Sequence, residues 1–153
     1  MPPKMVLPRP ARGFCVKAEL RMTTDGKGIG VFAAEFIPKN TRVNDDQVDQ
    51  SLSEQEANVF IESLPNDEER MWWLEHFYTW DGELKTNFEC IDVLMVNHSK
   101  DPTLVIRADG NDYTTRDIHE GMELTEDYRT YDIVPFFDKL CEKYGVNDDY
   151  IKD

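Results

Sequence analysis

The sequence has few cysteines, no long apolar run and few cations for its number of acidic residues. The three cysteines, Cys15, Cys90 and Cys141, are odd in number and far apart, so they predict neither a disulfide framework nor a zinc site. This usage indicates a reducing, intracellular compartment, either nucleus or cytoplasm. No apolar run approaches the ~18–20 residues that a membrane span needs, so we expect no membrane association.

The shortage of cations bears on the partners of the protein. The 17 lysines and arginines are outnumbered by 31 aspartates and glutamates, which gives a net charge of −14 at pH 7. Binding to a nucleic-acid duplex needs lysine and arginine against the phosphates, so we expect no direct nucleic-acid binding. A chain this acidic is suited to attract a basic protein or peptide instead. The sequence does not indicate an oligomeric state.

The length and the patterning predict one α+β domain that is mostly β. A chain of 153 residues, 40% of them hydrophobic, is long enough to bury a core without disulfides or metals. Short β patterns occupy the first third and the segment after Phe88, with a helical segment between them and one helical pattern near the end. Four prolines within the first ten residues predict a flexible N-terminal arm over residues 1–13.

Local signals predict the helices and one hairpin. Ser53 with Glu56 has the pattern of a capping box, and apolar residues at helical spacing follow it. A second helix is predicted to open at Asn66. Residues 135–144 carry apolar side chains at helical spacing, and residues 109–112 have the composition of a hairpin turn between two β patterns.

Three segments carry candidate chemistry, and each also has an ordinary structural explanation. The three glycines in residues 26–30 either form a plain turn or let a ligand approach the backbone, but their spacing is not that of a dinucleotide phosphate loop. Residues 97–99, Asn-His-Ser, directly follow an apolar run, and polar side chains at the end of a buried strand must find hydrogen-bond partners. The ordinary explanation is a turn whose hydrogen bonds are satisfied and whose histidine is exposed. For Tyr128 the sequence leaves three alternatives open. Two are functional, a general acid/base or a hydrogen-bond donor, and the ordinary one is an amphipathic tyrosine with a buried ring. The histidines lack metal-ligand spacing, and no serine-hydrolase elbow occurs.

Three short stretches share their order and spacing with a known family. They run from Gly26 to Ala34 with Ile37 to Thr41 after it, from Val96 to Pro102, and from Arg116 to Tyr128. They resemble, in turn, the opening motif, the N-H-S-x-x-P-N motif and the closing I-x-x-G-E-E-L-x-x-D-Y stretch of SET-domain protein-lysine methyltransferases. The resemblance covers about residues 14–131, and it is to a small stand-alone member without a zinc-binding post-SET module.

The resemblance implies a fold and a function. The fold would be a β-clip of small sheets with a pseudoknot, in which the closing segment is threaded near the N-H-S segment. Residues 14–131 would form the SET domain, residues 44–86 its variable helical insert, and residues 132–153 a helical segment that closes the cofactor site with Phe136 and Phe137. The activity would be methyl transfer from S-adenosylmethionine to a lysine amine of a basic protein, such as a histone tail.

The positions that match the family motifs imply the site residues. Tyr128 would be the catalytic tyrosine beside the transferring methyl group. The substrate channel would include Tyr78, Trp80 and Glu126. The contacts to S-adenosylmethionine would come from Lys27, Gly28, Ile29, Asn97 and His98.

The chain departs from the family pattern at several points. It lacks the cysteine that many members use as a zinc ligand, and Thr103 stands where the N-H-S motif ends in asparagine. Glu126 occupies a position near the lysine channel that is often aromatic or apolar in the family. A carboxylate pointing inward stabilises the ammonium form of lysine, so either Glu126 points outward or the substrate differs. The departures leave a second hypothesis, a catalytically inactive SET-like module that binds basic peptides. A third, an acidic adaptor without a cofactor, rests on the net charge alone.

Overall fold

The computed structural model describes residues 5–147, and these form ten short strands and three α-helices. The strands are β1 (Arg9–Pro10), β2 (Ala18–Met22), β3 (Ile29–Ala33), β4 (Gln50–Leu52), β5 (Tyr78–Trp80), β6 (Glu83–Thr86), β7 (Asn97–His98), β8 (Leu104–Ile106), β9 (Asp112–Thr114) and β10 (Glu123–Glu126). The helices are α1 (Glu54–Ser63), α2 (Asp67–His76) and α3 (Pro135–Lys143). The predicted α+β class, mostly β, is confirmed.

A five-stranded sheet, in the order β1-β2-β3-β10-β7, carries the three motifs of the sequence. β2 and β3 are antiparallel and are joined by the glycine turn. β10 pairs antiparallel with β3 and parallel with β7, so that Thr125 lies opposite Asn97 and Glu126 lies opposite His98. This parallel pairing brings the residues that follow β10 next to the Asn-His-Ser segment.

The segment of residues 44–86 contains both predicted helices and three strands that the sequence did not indicate. The capping box at Ser53 forms as predicted, with the Ser53 and Glu56 side chains each accepting from the other's backbone N–H. The strands β4, β6 and β5 form a small antiparallel sheet. Asp81 and Gly82 join β5 to β6 with φ of 53° and 75°, the left-handed pair that a two-residue hairpin requires.

Two apolar clusters form the core. The first lies against the five-stranded sheet, and its most buried members are Leu20, Val31, Ala33, Ile37, Val43, Leu104, Ile118 and Leu124. The second joins the 44–86 segment to α3 through Ala57, Ile61, Leu74, Phe77, Leu84 and Leu140. The C-terminal helix therefore packs on the insert. Between residues 5 and 147, no helix is long and apolar enough to cross a membrane.

The residues before β2 pack against the sheet, which differs from the flexible arm predicted over residues 1–13. Residues 1–4 of that arm lie outside the described residues. β1 pairs with β2, and the Arg9 guanidinium donates to both carboxylate oxygens of Asp92 at 2.7 and 3.0 Å. Asp92 is only 3% exposed and also accepts from the backbone N–H of Arg12 at 2.8 Å. The prolines are compatible with this pairing because β1 is an edge strand, where a missing N–H donor is tolerated.

Arg9→Ala should lower the free energy of unfolding by about 2–3 kcal/mol. The variant leaves the buried Asp92 carboxylate with the Arg12 backbone donor but no cation, and removing one partner of a fully buried pair costs ~3–5 kcal/mol. Urea unfolding at pH 7 measures the difference. Arg12→Ala is the matched control, because Arg12 bonds Asp92 through its backbone and its loss should change stability by less than about 0.5 kcal/mol. Equal losses in both variants would show that the Arg9–Asp92 pair does not hold the N-terminal residues.

Candidate active site

The glycine turn between β2 and β3 presents open backbone at one end of the five-stranded sheet. Gly26 and Gly28 have φ of +83° and +93°, a left-handed conformation that other residues adopt only with strain. A Cβ added at Gly28 would meet nothing within 4 Å, so this stretch of backbone is accessible. Gly30 is different, because a Cβ there would lie 2.7 Å from Glu123 Oε2 and 3.0 Å from Asn97 Nδ2. Gly30 therefore allows close packing, whereas Gly28 leaves space.

The Asn-His-Ser segment is fastened to this turn by its side chains and its backbone. Asn97 Nδ2 donates to the backbone oxygen of Ile29 at 3.1 Å and to Glu123 Oε2 at 2.9 Å. Lys27 Nζ donates to the backbone oxygen of His98 at 2.5 Å. These contacts bring together Lys27, Gly28, Ile29, Asn97 and His98, the five residues for which the resemblance implies contacts to the cofactor.

Tyr128 follows β10 and lies against the same segment. Its backbone N–H donates to Nδ1 of His98 at 3.1 Å, and its ring centroid is 5.5 Å from that of His98. Its phenolic hydroxyl donates to the backbone oxygen of Val96. His98 is only 2% exposed, so the tyrosine is held on a rigid, buried support. The three motifs, which are far apart in sequence, meet at Tyr128, Asn97–His98 and the glycine turn.

A cavity of about 750 Å³ opens on the side of Tyr128 that faces the insert. Val96 and Tyr128 line it, as do Tyr78, Glu126 and Tyr131. The rings of Tyr128 and Tyr131 stack at 5.3 Å between centroids, and the rings of Tyr131 and Tyr78 lie 6.2 Å apart. Three tyrosines thus form a continuous aromatic wall that starts at Tyr128.

The structure separates the three residues predicted for the substrate channel. Tyr78 and Glu126 line the cavity. Trp80 does not, because it lies at the far end of β5 and borders a separate, shallow depression with Asp132 and Ile133. The prediction for Trp80 differs from the structure for this reason. Glu126, whose orientation the sequence left open, lies among the residues that line the cavity.

Glu126 belongs to a buried acidic group that the sequence did not reveal. Its carboxylate accepts from the Tyr131 hydroxyl and lies against the carboxyl of Asp112, which is only 6% exposed. Burial raises the pKa of both carboxyls, and the pKa of Asp112 is raised further by the neighbouring Glu126. Their contact places two carboxyl groups, from β9 and β10, at one wall of the cavity.

Tyr78 is bound to carboxylates at the same wall. Its hydroxyl donates to Asp49 and, at 3.2 Å, to Asp46 Oδ1. Burial, together with these carboxylates, raises the pKa of Tyr78 far above its usual value, so the phenol stays neutral. Burial also raises the pKa of Asp49. The cavity therefore combines neutral phenols with carboxyl groups whose charge is costly.

The comparisons with known proteins agree with this geometry. The family model for the SET domain matches residues 28–129, which is most of the chain. The match contains the second and third motifs in full and the first motif from Gly28 onward. The chain belongs to the SET-domain family. SET domains are generally S-adenosylmethionine-dependent methyltransferases. A comparison with curated proteins gives no match.

The departures from the SET pattern have structural explanations. Thr103, which stands in place of the family asparagine, is 6% exposed. Its hydroxyl binds the segment before β8 to β10, because it donates to the Glu123 backbone oxygen at 3.0 Å and accepts from the Thr125 backbone N–H at 2.9 Å. Within residues 5–147, no group of three or more histidine, cysteine and acidic side chains is arranged to hold a metal ion.

Tyr131 and Asp112 are the site residues that the sequence analysis missed. Tyr131 stands three residues after Tyr128, so one turn of 3-10 helix places the two rings together, and that spacing was the available signal. Asp112 was assigned to a hairpin turn, and nothing in the sequence indicates that its strand faces β10.

The residues at the glycine turn fit the cofactor that the family uses. Gly28 provides backbone that a ligand can approach, and beside it lie the half-buried Asn97 amide and the backbone oxygen of the buried His98. Such a surface of exposed backbone groups and amides suits the polar atoms of a nucleoside and an amino acid, both of which S-adenosylmethionine contains. Phe137 of α3, which was predicted to close this site, lines the cavity and packs toward the insert, 6.3 Å from the ring of Phe77.

Asp112→Asn should raise stability at neutral pH and flatten its dependence on pH. A carboxyl whose folded-state pKa exceeds its ordinary 3.8 stabilises the fold fully below that value, and this contribution is lost as pH rises through the raised pKa. Asparagine stays neutral and can donate to Glu126, so the variant should be more stable than wild type by at least about 1 kcal/mol at pH 7.

Thermal unfolding between pH 4 and pH 8 measures this effect. Glu120→Gln, which removes the same charge from an exposed turn, is the matched control and should keep the wild-type slope. If Asp112→Asn retained the slope as well, the carboxyl pair would not be the source of the pH dependence.

Proposed function

We propose that this SET-domain protein is a protein-lysine N-methyltransferase that transfers a methyl group from S-adenosylmethionine to a lysine side chain of a basic protein, such as a histone tail. The observation that carries the proposal is the position of the Tyr128 hydroxyl. It lies against the backbone oxygen of Val96 at the cavity wall, and the Tyr128 backbone is bonded to His98, whose own backbone oxygen accepts from Lys27 of the glycine turn. Tyr128 is thus the residue at which a donor and an acceptor can meet.

The proposed reaction is an in-line displacement, so its main demand on the protein is alignment. Bound S-adenosylmethionine supplies an electrophilic methyl group on a sulfonium. The Tyr128 and Val96 oxygens can hold such a polarised methyl group by C–H···O contacts of ~0.5–1 kcal/mol each. The contact of Tyr128 with buried His98 fixes the phenol in place before substrate arrives, which is the geometric contribution that raises the rate.

The amine must lose its proton before it can accept a methyl group. At pH 7 a lysine of ordinary pKa ~10.4 pays about 4.6 kcal/mol to become neutral. The aromatic wall of Tyr78, Tyr128 and Tyr131 lowers that cost because it desolvates the ammonium. The carboxyl groups farther along the wall oppose it. The amine that reacts therefore belongs beside Tyr128 and away from Glu126.

The inward position of Glu126 favours the second candidate function, a SET-like module that binds basic peptides without modifying them. A carboxylate in the cavity stabilises a bound ammonium, and a permanent ammonium cannot be methylated. The two candidates predict the same cofactor-binding surface and basic partner but differ in turnover.

The remaining parts of the proposal rest on composition and on the fold. A net charge of −14 supports a basic partner and argues against direct contact with nucleic acid. The three separate cysteines support an intracellular location, in the nucleus or the cytoplasm. The parallel pairing of β10 with β7 supports the pseudoknot expected of a SET domain.

Tyr128→Phe should reduce turnover about tenfold or more, which corresponds to ~1.4 kcal/mol of lost transition-state stabilisation, and should leave cofactor affinity within about twofold. The variant keeps the ring on His98 but loses the hydroxyl beside Val96. Transfer of labelled methyl to a panel of basic proteins measures turnover, and calorimetry measures binding of S-adenosylmethionine. Asn97→Ala should weaken the binding of S-adenosylmethionine first and affect turnover less. The variant loses the amide that donates to the Ile29 backbone oxygen and to Glu123.

Tyr113→Phe is the matched control, because its hydroxyl bonds Asp109 and neither of these two residues lines the cavity. It should retain wild-type turnover. Cofactor binding by the wild type without transfer to any protein of the panel would favour the non-catalytic module. No cofactor binding at all would contradict both.

A further inference from the structure

The contact between Asp112 and Glu126 leaves one buried oxygen without a hydrogen-bond donor. Asp112 Oδ2 accepts from Asn44 Nδ2 at 3.2 Å, and Glu126 accepts from the Tyr131 hydroxyl. Asp112 Oδ1 is buried, and its one neighbouring group that could donate is the Glu126 carboxyl, which does so only when the pair holds a proton. Two ionised carboxylates supply no hydrogen to each other, so this oxygen calls for either a shared proton or a cation from outside.

The surroundings of the pair favour a cation. Asp45 and Asp49 line the same cavity, and the pair lies at a wall with no basic side chain hydrogen-bonded to it among the described residues. The Lys85 ammonium is paired with another carboxylate, since its Nζ lies 3.5 Å from Asp46 Oδ2. The Tyr131 hydroxyl, which donates to Glu126, is the only side-chain donor to this carboxyl among the hydrogen bonds of the described residues, and it is neutral.

The chemistry of the cavity indicates what kind of cation fits. The described residues form no metal-ligating group of three or more side chains, so a metal ion has no adequate ligand set here. A volume of about 750 Å³, bordered by phenols, suits an organic cation on an apolar stem. Ammonium and guanidinium groups carry several donors, enough to satisfy Asp112 Oδ1 and Glu126 together.

We propose that Asp112 and Glu126 form a subsite that binds the ammonium or guanidinium group of a second basic residue of the substrate, next to the lysine that reacts at Tyr128. This inference rests on the proposed function for the identity of the substrate. It assigns different tasks to the two ends of the aromatic wall. The end at Tyr128 neutralises one amine, and the end at Asp112 and Glu126 retains a charge. The substrate class is then a polypeptide with paired basic residues.

A peptide series tests the subsite directly. The host is a glycine-rich peptide with one lysine, and each other member carries one arginine at a different position up to three residues before or after it. Calorimetry with the demethylated cofactor product present measures binding without requiring turnover. Arginine at one position should strengthen binding to wild type by about tenfold, and its replacement by glutamine should abolish the gain.

The variants attribute the gain to the pair. Asp112→Asn should abolish it, because its amide removes one charge and fills the cation's position. Glu126→Gln should act in the same way. Glu120→Gln, which removes a charge from an exposed turn, should keep the full gain.

Three results would overturn the subsite. They are no gain at any arginine position, a gain that persists in both Asp112→Asn and Glu126→Gln, or a loss of kcat in these variants with unchanged peptide binding. The last result would mean that the pair acts on the reacting amine. A charge-dependent gain without methylation would support the subsite and contradict the proposed activity. Methylation without any arginine preference would do the opposite.

Discussion

The parallel pairing of β10 with β7 is the constraint on which the whole site depends. It sets Glu126 opposite His98, and so the chain that leaves β10 delivers Tyr128 to the surface of His98 and its hydroxyl to Val96. The antiparallel pairing of β10 with β3 on its other edge ties the same strand to the glycine turn. A shift of one residue in β10 would turn its side chains to the opposite faces of the sheet, and the three motifs would no longer meet.

Electrostatics gives the cavity two functionally different ends. Beside Tyr128 the wall is aromatic and uncharged, an environment that disfavours an ammonium ion. Beside Asp112 and Glu126 it is acidic, and burial makes the unpaired charges costly. The acidity beside Asp112 and Glu126 would disfavour methylation of an amine held there, whereas in the proposed subsite it favours the binding of a second basic group of the substrate. This division reconciles the inward-facing Glu126 with a transferase and does not require the protein to be inactive.

Sequence reasoning succeeded where the determinants are local and failed where they are tertiary. The capping box at Ser53 and the order of the motifs depend on residues close in sequence, and both could be read directly. The contact of Asp112 with Glu126 depends on how a hairpin packs against a strand that is distant in sequence. No spacing of residues in the sequence predicts that contact. The packing of the N-terminal residues was not predicted, because their proline content is visible in the sequence whereas the Arg9–Asp92 pair joins residues 83 positions apart.

The central claim is that donor and acceptor meet at Tyr128, and a crystal structure of the chain bound to S-adenosylhomocysteine tests it most directly. The account predicts that the nucleoside and amino-acid parts lie on Lys27, Gly28 and Asn97, with the sulfur facing the Tyr128 hydroxyl and the Val96 oxygen from the side opposite the cavity. A ligand seated among Asp112, Glu126 and Tyr131, or one that leaves the glycine turn uncovered, would contradict it.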